Sequence, residues 1–391
     1  MATLSSKMLP AGVATLAQGA LADTSVQPND SPAFDGLTVN GNAYPSDGAL
    51  SNRNLIINGA MTVSQRGTSS SPAPVGYLID RFATFSSGAG ALSISQSSDG
   101  PTGFNRSALI TVTTALTPTA GDYRIFQQSI EGNVSAFLAQ GTAGAKTFTL
   151  SFWAKTSILG TFSGSFRDST LSRSYVFEYT MNVINTWEYK TVTIAGSTSG
   201  TFNTDSGSGL ILSFSQGQGT TFATATVGSW VAGNFHGSTT ETDLIATLGA
   251  TWQITGVQLE VGDTATPFEH RGFGQELALC QRYFQKITQT QTSEQVATGH
   301  LDSASNGYFQ IPFLTEMRAA PTLGTSGSST DYVIRSGGTT FVTGSVPVAQ
   351  NVTAKIASLR LPSTGMTVGR AFTFQFSGTL TGAFLAFDAE L

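Results

Sequence analysis

The stretch from Trp252 to Ile287 constrains the fold more than any other part of the chain. It opens with apolar residues in strand-like alternation: Trp252, Ile254, Val257, Leu259 and Val261. After a turn at Pro267, apolar residues recur at positions 273, 277, 280, 284 and 287. Spacings of four, three, four and three trace a two-heptad seam, so the pattern predicts a helix over 272–287 with Phe273, Leu277, Cys280, Phe284 and Ile287 on one stripe. A helix of about four turns is marginal in water, because nucleation is costly. So narrow a stripe calls for sister copies to cover it, and bulky side chains at both seam positions suit three strands better than two. The expectation is an elongated homotrimer, with Glu276 and Arg282 flanking the seam. The competing reading packs the same five side chains on their own subunit.

Charged residues make up only 11% of the chain, less than half of the usual share of about 25%. Forty-three glycines, many framing short apolar runs, argue for strands and turns. Repeated runs such as Ala108-Leu-Ile-Thr-Val-Thr, Phe148-Thr-Leu-Ser-Phe-Trp-Ala and Leu210-Ile-Leu-Ser-Phe predict a two-sheet jelly roll over 54–271. Leu55 to Val63 reads as its first strand, and Phe148, Leu150 and Phe152 face inward. After the helix, residues 288–391 read as a second, smaller β-sandwich distal to the first. Its last strand, Gly382 to Leu391, is expected to be tied into the fold. The fold class is all-β.

A net charge of −5 gives no basic footprint, which argues against nucleic-acid binding. With no run of 18 apolar residues, membrane insertion is not expected. Met8 to Ala22, closing in Ala20-Leu21-Ala22, imitates a signal peptide, but Pro10, Gly12, Thr15, Gln18 and Gly19 dilute it. Residues 1–25 read better as a docking segment on a larger partner. Residues 26–53 read as an extended linker with a brief strand that ends in a turn at Asn40-Gly41.

Several segments resemble one family in order. Asn54-Leu-Ile-Ile-Asn-Gly-Ala-Met-Thr-Val-Ser-Gln-Arg-Gly67 and Tyr77-Leu-Ile-Asp-Arg-Phe82 resemble the opening of bacteriophage and prophage tail fibre proteins. Ile254-Thr-Gly-Val-Gln-Leu-Glu-Val-Gly262 and Ala265-Thr-Pro-Phe-Glu269 resemble the closing strand of that family's sandwich. Glu276-Leu-Ala-Leu-Cys-Gln-Arg-Tyr-Phe284 is similar to its helix, and Glu316-Met-Arg-Ala-Ala-Pro-Thr-Leu323 to the start of its distal domain. The likeness spans roughly residues 50–391 and implies a virion structural protein with a carbohydrate-binding-like jelly roll, a tail appendage assembled in the host cytoplasm. It further implies a tail or other virion partner for the N-terminal segment and a host-surface glycan or protein as receptor. A capsid- or collar-attached fibre is the nearest alternative, and a secreted carbohydrate-binding or carbohydrate-degrading protein the more distant one.

Catalytic chemistry is not expected. His236, His270 and His300 lack metal-ligand spacing, and neither a Gly-X-Ser-X-Gly elbow nor a phosphate loop occurs. The 24 acidic residues are scattered singly, without the carboxylate pair that glycoside hydrolysis requires. No cofactor is implied. Asn203-Thr-Asp205-Ser-Gly207-Ser-Gly209 alternates oxygen-bearing side chains but lacks a bidentate Glu, so it reads as a surface turn rather than a calcium loop. Aromatic rings are the usual platform for sugars. Trp153 and Trp252 sit in apolar alternation and read as core, and Trp187 as core or edge. Trp230, Asn234 and His236 share a Gly-rich loop and form the first ligand-binding candidate, with Tyr308, Tyr332 and Phe341 as a distal tip surface.

Overall fold

Alternating apolar and small polar residues build two antiparallel sheets face to face. In the computed structural model, which describes residues 37–39, 42–44, 51–380 and 382–391, the first sheet has seven strands. From edge to edge they are Trp230–Ala232, Arg173–Met181, Gly160–Asp168, Ser208–Gln218, Tyr123–Glu131, Ala83–Ser87 and Gly76–Tyr77. The six-stranded partner sheet runs Glu188–Ile194, Phe148–Thr156, Thr251–Val261, Ser107–Thr114, Ala91–Ser97 and Ser69–Ser70. The chain changes sheet repeatedly, which is the winding of a jelly roll. Leu37–Val39 and Asn42–Tyr44 pair as a separate antiparallel ladder. The predicted anchor 1–25, the Asn40-Gly41 turn and most of the linker lie outside the described residues.

Phe126, Phe148, Phe152, Phe162, Phe166, Phe214 and Trp252 fill the space between the sheets. Trp252 is fully buried, and its Nε1–H donates to the Tyr179 hydroxyl at 2.9 Å. Strand Gly160–Asp168 was not anticipated, because its Gly and Ser content hides the alternation of Phe162 and Phe166. Gly164 is required there: a Cβ would lie 2.4 Å from the Ser213 carbonyl oxygen and 2.5 Å from Phe177 Cζ.

Leu55 to Val63 is buried but is not a strand. Asn58 and Met61 adopt left-handed backbone angles, φ 61° and 56°, which no ladder accommodates. Two backbone bonds tie the segment to strand Thr251–Val261, Leu55 N–H to the Leu259 carbonyl at 2.9 Å and Val257 N–H to the Gly59 carbonyl at 3.0 Å, and side-chain amides supply the rest. Asn54 Oδ1 accepts from the Ile56 and Leu259 amides at 2.9 and 3.0 Å, and Asn58 Nδ2 donates to the Val63 and Asp80 carbonyls at 2.8 and 2.9 Å.

The predicted helix over 272–287 is corrected. The helix is Phe273–Gln281, and Phe284–Thr288 is a strand paired antiparallel with Phe384–Asp388. Phe284 and Ile287, three apart, take opposite faces of this strand, one under Arg66 and the other against the distal core, and pairing with Phe384–Asp388 overrides the helical spacing. The five seam residues therefore do not form one stripe. Cys280 is fully buried in a small cluster with Ile57, Val63 and Tyr283, and Leu277 packs partly against it. Phe284 lies under the Arg66 guanidinium at 3.5 Å, and Ile287 joins the distal core. Phe273 alone remains open, 60% exposed. The helix thus packs on its own chain.

Strand Phe284–Thr288 opens the distal unit, in a three-stranded sheet with Phe384–Asp388 and Thr322–Thr325. A seven-stranded sheet shares its core, in the order Thr339–Val342, Tyr332–Ser336, Ala371–Phe376, Gln295–Ser303, Asn306–Pro312, Ile356–Pro362, Val348–Val352. Phe309 and Phe374 stack at 4.3 Å in that core.

A charged joint couples the two units. Glu131, at the end of a sandwich strand, accepts from Arg282 Nη2 and Nε at 2.6 and 2.9 Å and from the Tyr283 hydroxyl at 2.6 Å. Burial pushes the Glu131 carboxyl up, but the donors from Arg282, Tyr283 and Asn133 outweigh it and hold it below its ordinary range. Arg81, fully buried against the Tyr283 ring, pairs with Glu390, while Arg66 reaches Asp388 at 3.0 Å. Glu131→Ala strands the guanidinium and the hydroxyl together, and is expected to cost about 3 kcal/mol by chemical denaturation, against about 1 kcal/mol for Tyr283→Phe. Equal losses would show that the ion pair contributes nothing.

Candidate functional site

Phe162 and Phe166 point into the sandwich, so Ser163, Ser165 and Arg167 of the same strand emerge on the opposite face of the seven-stranded sheet. That face is largely covered. Residues 219–243 fold across it: Ala223–Thr224 pairs in parallel with Gly237–Ser238, and the Ser238 amide donates to Ser163 Oγ at 3.0 Å. Under this flap Ser163, Ser165, Ser213 and Ser215 are buried although they face outward. Glu241, half-buried on the flap, reaches them from above. Burial pushes its carboxyl up to about 8, against the donation from Ser215 Oγ at 2.7 Å.

Beside the flap a cleft of about 330 Å³ opens, lined by Phe85, Tyr123, Gln127, Arg167, Phe222, Asn234 and His236 among others. Arg167 forms its floor, 3% exposed, and burial pulls its guanidinium down to about 10. Its Nη1 donates to Asn234 Oδ1 at 2.8 Å and its Nη2 to Ser213 Oγ at 2.8 Å and to Gln127 Oε1. Its Nε has no partner. Three rings form the wall: Phe222 stacks on His236 with centroids 4.7 Å apart, and Tyr123 meets both edge-on at 4.9 and 4.8 Å. Burial first, and the Arg167 charge second, pull His236 down to about 2, so the imidazole is neutral. The arrangement offers flat aromatic surface, amide groups and a fixed cation, and its lining includes no carboxylate.

Of the residues anticipated from sequence, Asn234 and His236 meet in this cleft. Trp230 does not join them; it packs against Tyr175 and Phe202 at 5.7 Å each, with Nε1–H donating to the Ala195 carbonyl at 2.8 Å. Arg167, Tyr123 and Phe222 were missed. The alternation of Phe162, Gly164 and Phe166 was the available signal for Arg167, since it places that residue on the outer face.

The distal trio is dispersed. Tyr332 is fully buried, its hydroxyl 2.8 Å from the Phe384 carbonyl oxygen, so it cannot present a tip surface. Phe341 packs partly against the distal core. Tyr308 stacks with His300 at 6.0 Å beside an open hollow of about 580 Å³ that Asp302 and Gln310 also line. Trp153, expected in the core, instead faces outward from the six-stranded sheet, 5.2 Å from Tyr189. The 203–209 loop docks on the short helix Gly132–Ser135, with the Asn133 amide donating to the Asp205 carbonyl at 2.8 Å. Among the described residues no group of three or more His, Cys, Asp or Glu is placed to hold a metal, and no helix is long and apolar enough to cross a membrane.

No protein-family model and no curated protein matches the chain. Solved structures similar to part of it include the enzymatically active domain of tailspike protein 4 of bacteriophage CBA120, at 14% identity and TM-score 0.29. That match covers 53% of this chain and 21% of the tailspike, so the chain spans about a fifth of that protein. The carbohydrate-binding module TmCBM61, solved in complex with β-1,4-galactotriose, is similar at 9% identity and TM-score 0.28, over 54% of this chain and 99% of the module. The family 11 carbohydrate-binding module of Clostridium thermocellum is similar at 13% identity and TM-score 0.24, over 48% and 91% of the two chains. Scores this low carry no functional argument, and the jelly roll stands on its own strand pairing.

The neutral His236 gives a pH signature. The unfolded chain takes up a proton near pH 6.5 that the folded chain refuses until about 2, so this residue lowers stability progressively as pH falls through that window. His236→Phe keeps a ring against Phe222 and removes the titration. Its unfolding free energy relative to wild type, measured by chemical denaturation, is expected to climb as pH falls from about 7 to about 4, at up to about 1.4 kcal/mol per pH unit. A constant difference across that range would refute the assignment.

Proposed function

We propose that this chain is a bacteriophage tail fibre that attaches to a host-cell surface glycan, with the sandwich cleft around Arg167, Asn234 and His236 as the saccharide site. The observation that carries the binding part is the cleft: partly exposed Tyr123 and Phe222 rings stand beside the buried Arg167 fork and two amide side chains. C–H faces of a sugar pack on such rings while fixed polar groups read its hydroxyls. Binding rather than cleavage is favoured, because no carboxylate lines the cleft. The fibre role is supported by the ordered likeness of residues 54–67, 77–82, 254–262, 276–284 and 316–323 to fibre proteins. The hollow beside His300 and Tyr308 is a second contact surface on the same appendage.

In this reading the protein is a homotrimer held on the virion by residues 1–25. Low overall charge and the exposed Phe273 and Leu314, 60% and 82% accessible, favour assembly. Three copies would turn weak single-site affinity into avidity. Light scattering on the purified protein is expected to return three times the 40.7 kDa chain mass; a species of 40.7 kDa overturns the trimer. Deleting residues 1–50 is expected to leave virions without the protein, and immuno-electron microscopy of intact particles separates tail from capsid or collar attachment.

Saccharide binding is checked separately, on a glycan array spanning neutral and acidic sugars. Wild type is expected to bind, and Phe222→Ala to weaken the best hit about tenfold, the equivalent of ~1.4 kcal/mol. Undiminished binding by that variant would move the site elsewhere on the molecule.

A further inference from the structure

The floor of the cleft carries a charge that nothing in the fold answers. All three acceptors around the Arg167 guanidinium, Asn234 Oδ1, Gln127 Oε1 and Ser213 Oγ, are neutral oxygens. Nε–H is buried without any partner. Among the described residues no carboxylate pairs with Arg167, and its ionisable neighbours are the Tyr123 phenol and the His236 imidazole. Two other buried guanidinium groups are held differently: Arg81 pairs with Glu390, and Arg124 donates to the backbone carbonyls of Ser87, Gly88, Gly90 and Tyr123, whereas Arg167 meets only side-chain oxygens at the edge of an open cleft. A buried cation costs free energy unless paired, and a guanidinium does not shed its proton to escape that cost. Its fork geometry matches the oxygens of a carboxylate or phosphate.

We infer that the cleft selects an anionic saccharide, its carboxylate or phosphate seated on Arg167 and its ring against Tyr123 and Phe222. The inference rests on the glycan-binding reading and narrows it to a ligand class. Asn234 is the cap of this subsite. It is half-buried at the rim, and its Oδ1 holds an Nη1 hydrogen that an incoming anion would take. With His236 neutral, selection for the anion is set by Arg167 alone.

The test is calorimetric titration of the full chain with three probes: a short galacturonate oligomer, its methyl ester, and a saccharide chain linked by phosphodiesters. Binding of either anionic probe at least tenfold tighter than the ester supports the inference, and the better of the two identifies the anion. Equal affinity for the acid and its ester overturns it while leaving glycan binding intact. If no probe binds and an array shows no hit, the inference and the glycan reading fall together.

Asn234→Asp is the sharper variant, because it is nearly isosteric and sets an internal carboxylate on Nη1. It is expected to raise the melting temperature and to weaken the anionic probe at least tenfold. Full anion affinity in Asn234→Asp overturns the inference. Arg167→Gln, checked for folding by circular dichroism, is expected to lose the preference for acid over ester, and retention of that preference counts against it as well.

Discussion

The architecture depends on a buried ionic joint. Glu131 ends a sandwich strand, Arg282 and Tyr283 follow the short helix, and Asp388 and Glu390 belong to the last stretch of the distal unit. Arg66 and Arg81 come from the irregular segments at the start of the sandwich. Each charge is acceptable in the interior only when its partner arrives, because an unpaired buried charge costs far more than the pair gains. Sandwich, helix and distal sheet must therefore assemble in one register. Any slip leaves Glu131 or Arg81 alone. Arg318 adds a backbone clamp, donating to the Ala389 and Glu390 carbonyls at 2.7 and 2.9 Å and to that of Ser206 in the sandwich at 2.9 Å.

This joint explains what the fibre-like motifs do in this molecule. Asn54 and Asn58 substitute side-chain amides for a ladder, Asp80 receives Gln65, and Glu276 accepts from the Asn58 amide. Glu260 holds Thr266 and faces Arg53 at 3.4 Å, and Arg282 and Tyr283 meet Glu131. Every segment that carries the likeness is thus engaged in closing the sandwich or fixing the distal unit on it. The cleft residues Tyr123, Arg167, Phe222, Asn234 and His236 all fall outside those segments. The likeness therefore speaks to the frame, and the ligand has to be argued from the cleft.

Strands with clean alternation were legible, as in Phe148–Thr156 and Thr251–Val261, and so was the division into a larger and a smaller β unit. Three things were not. The Leu55 to Val63 run looks like a strand because its residues are apolar; the Asn54 and Asn58 amide bonds show that side chains supply most of the pairing a ladder would give. Residues 273–287 keep a helical spacing through a change of structure, because both faces of strand Phe284–Thr288 are packed, Phe284 under Arg66 and Ile287 against the distal core, and its partner Phe384–Asp388 lies far along the chain. The outer face of a sheet is normally wet, so nothing in strand Gly160–Asp168 announces that Arg167 is buried. That depends on a flap more than fifty residues later in the chain. Asn234 and His236 were found because a Gly-rich loop with polar residues is a local signal; Arg167 was missed because its burial is not local.

The flap also shows why the cleft opens where it does. Where the flap meets the sheet, Glu241 of the flap and Arg167 of the sheet are each hydrogen-bonded to neutral side chains. A carboxyl can meet burial by keeping its proton, and the half-buried Glu241 on the flap, pushed up to about 8, sits against the Ser215 hydroxyl of the sheet. A guanidinium has no such escape at physiological pH. At 3% exposure it leaves a permanent charge in a poorly polarisable layer, at a cost that amide oxygens only partly offset. The flap carries the group that can become neutral, and the cleft opens beside the one that cannot. Aromatic rings line that opening and water or ligand can reach it, so the fold keeps a cation in place without spending an acidic residue to quench it.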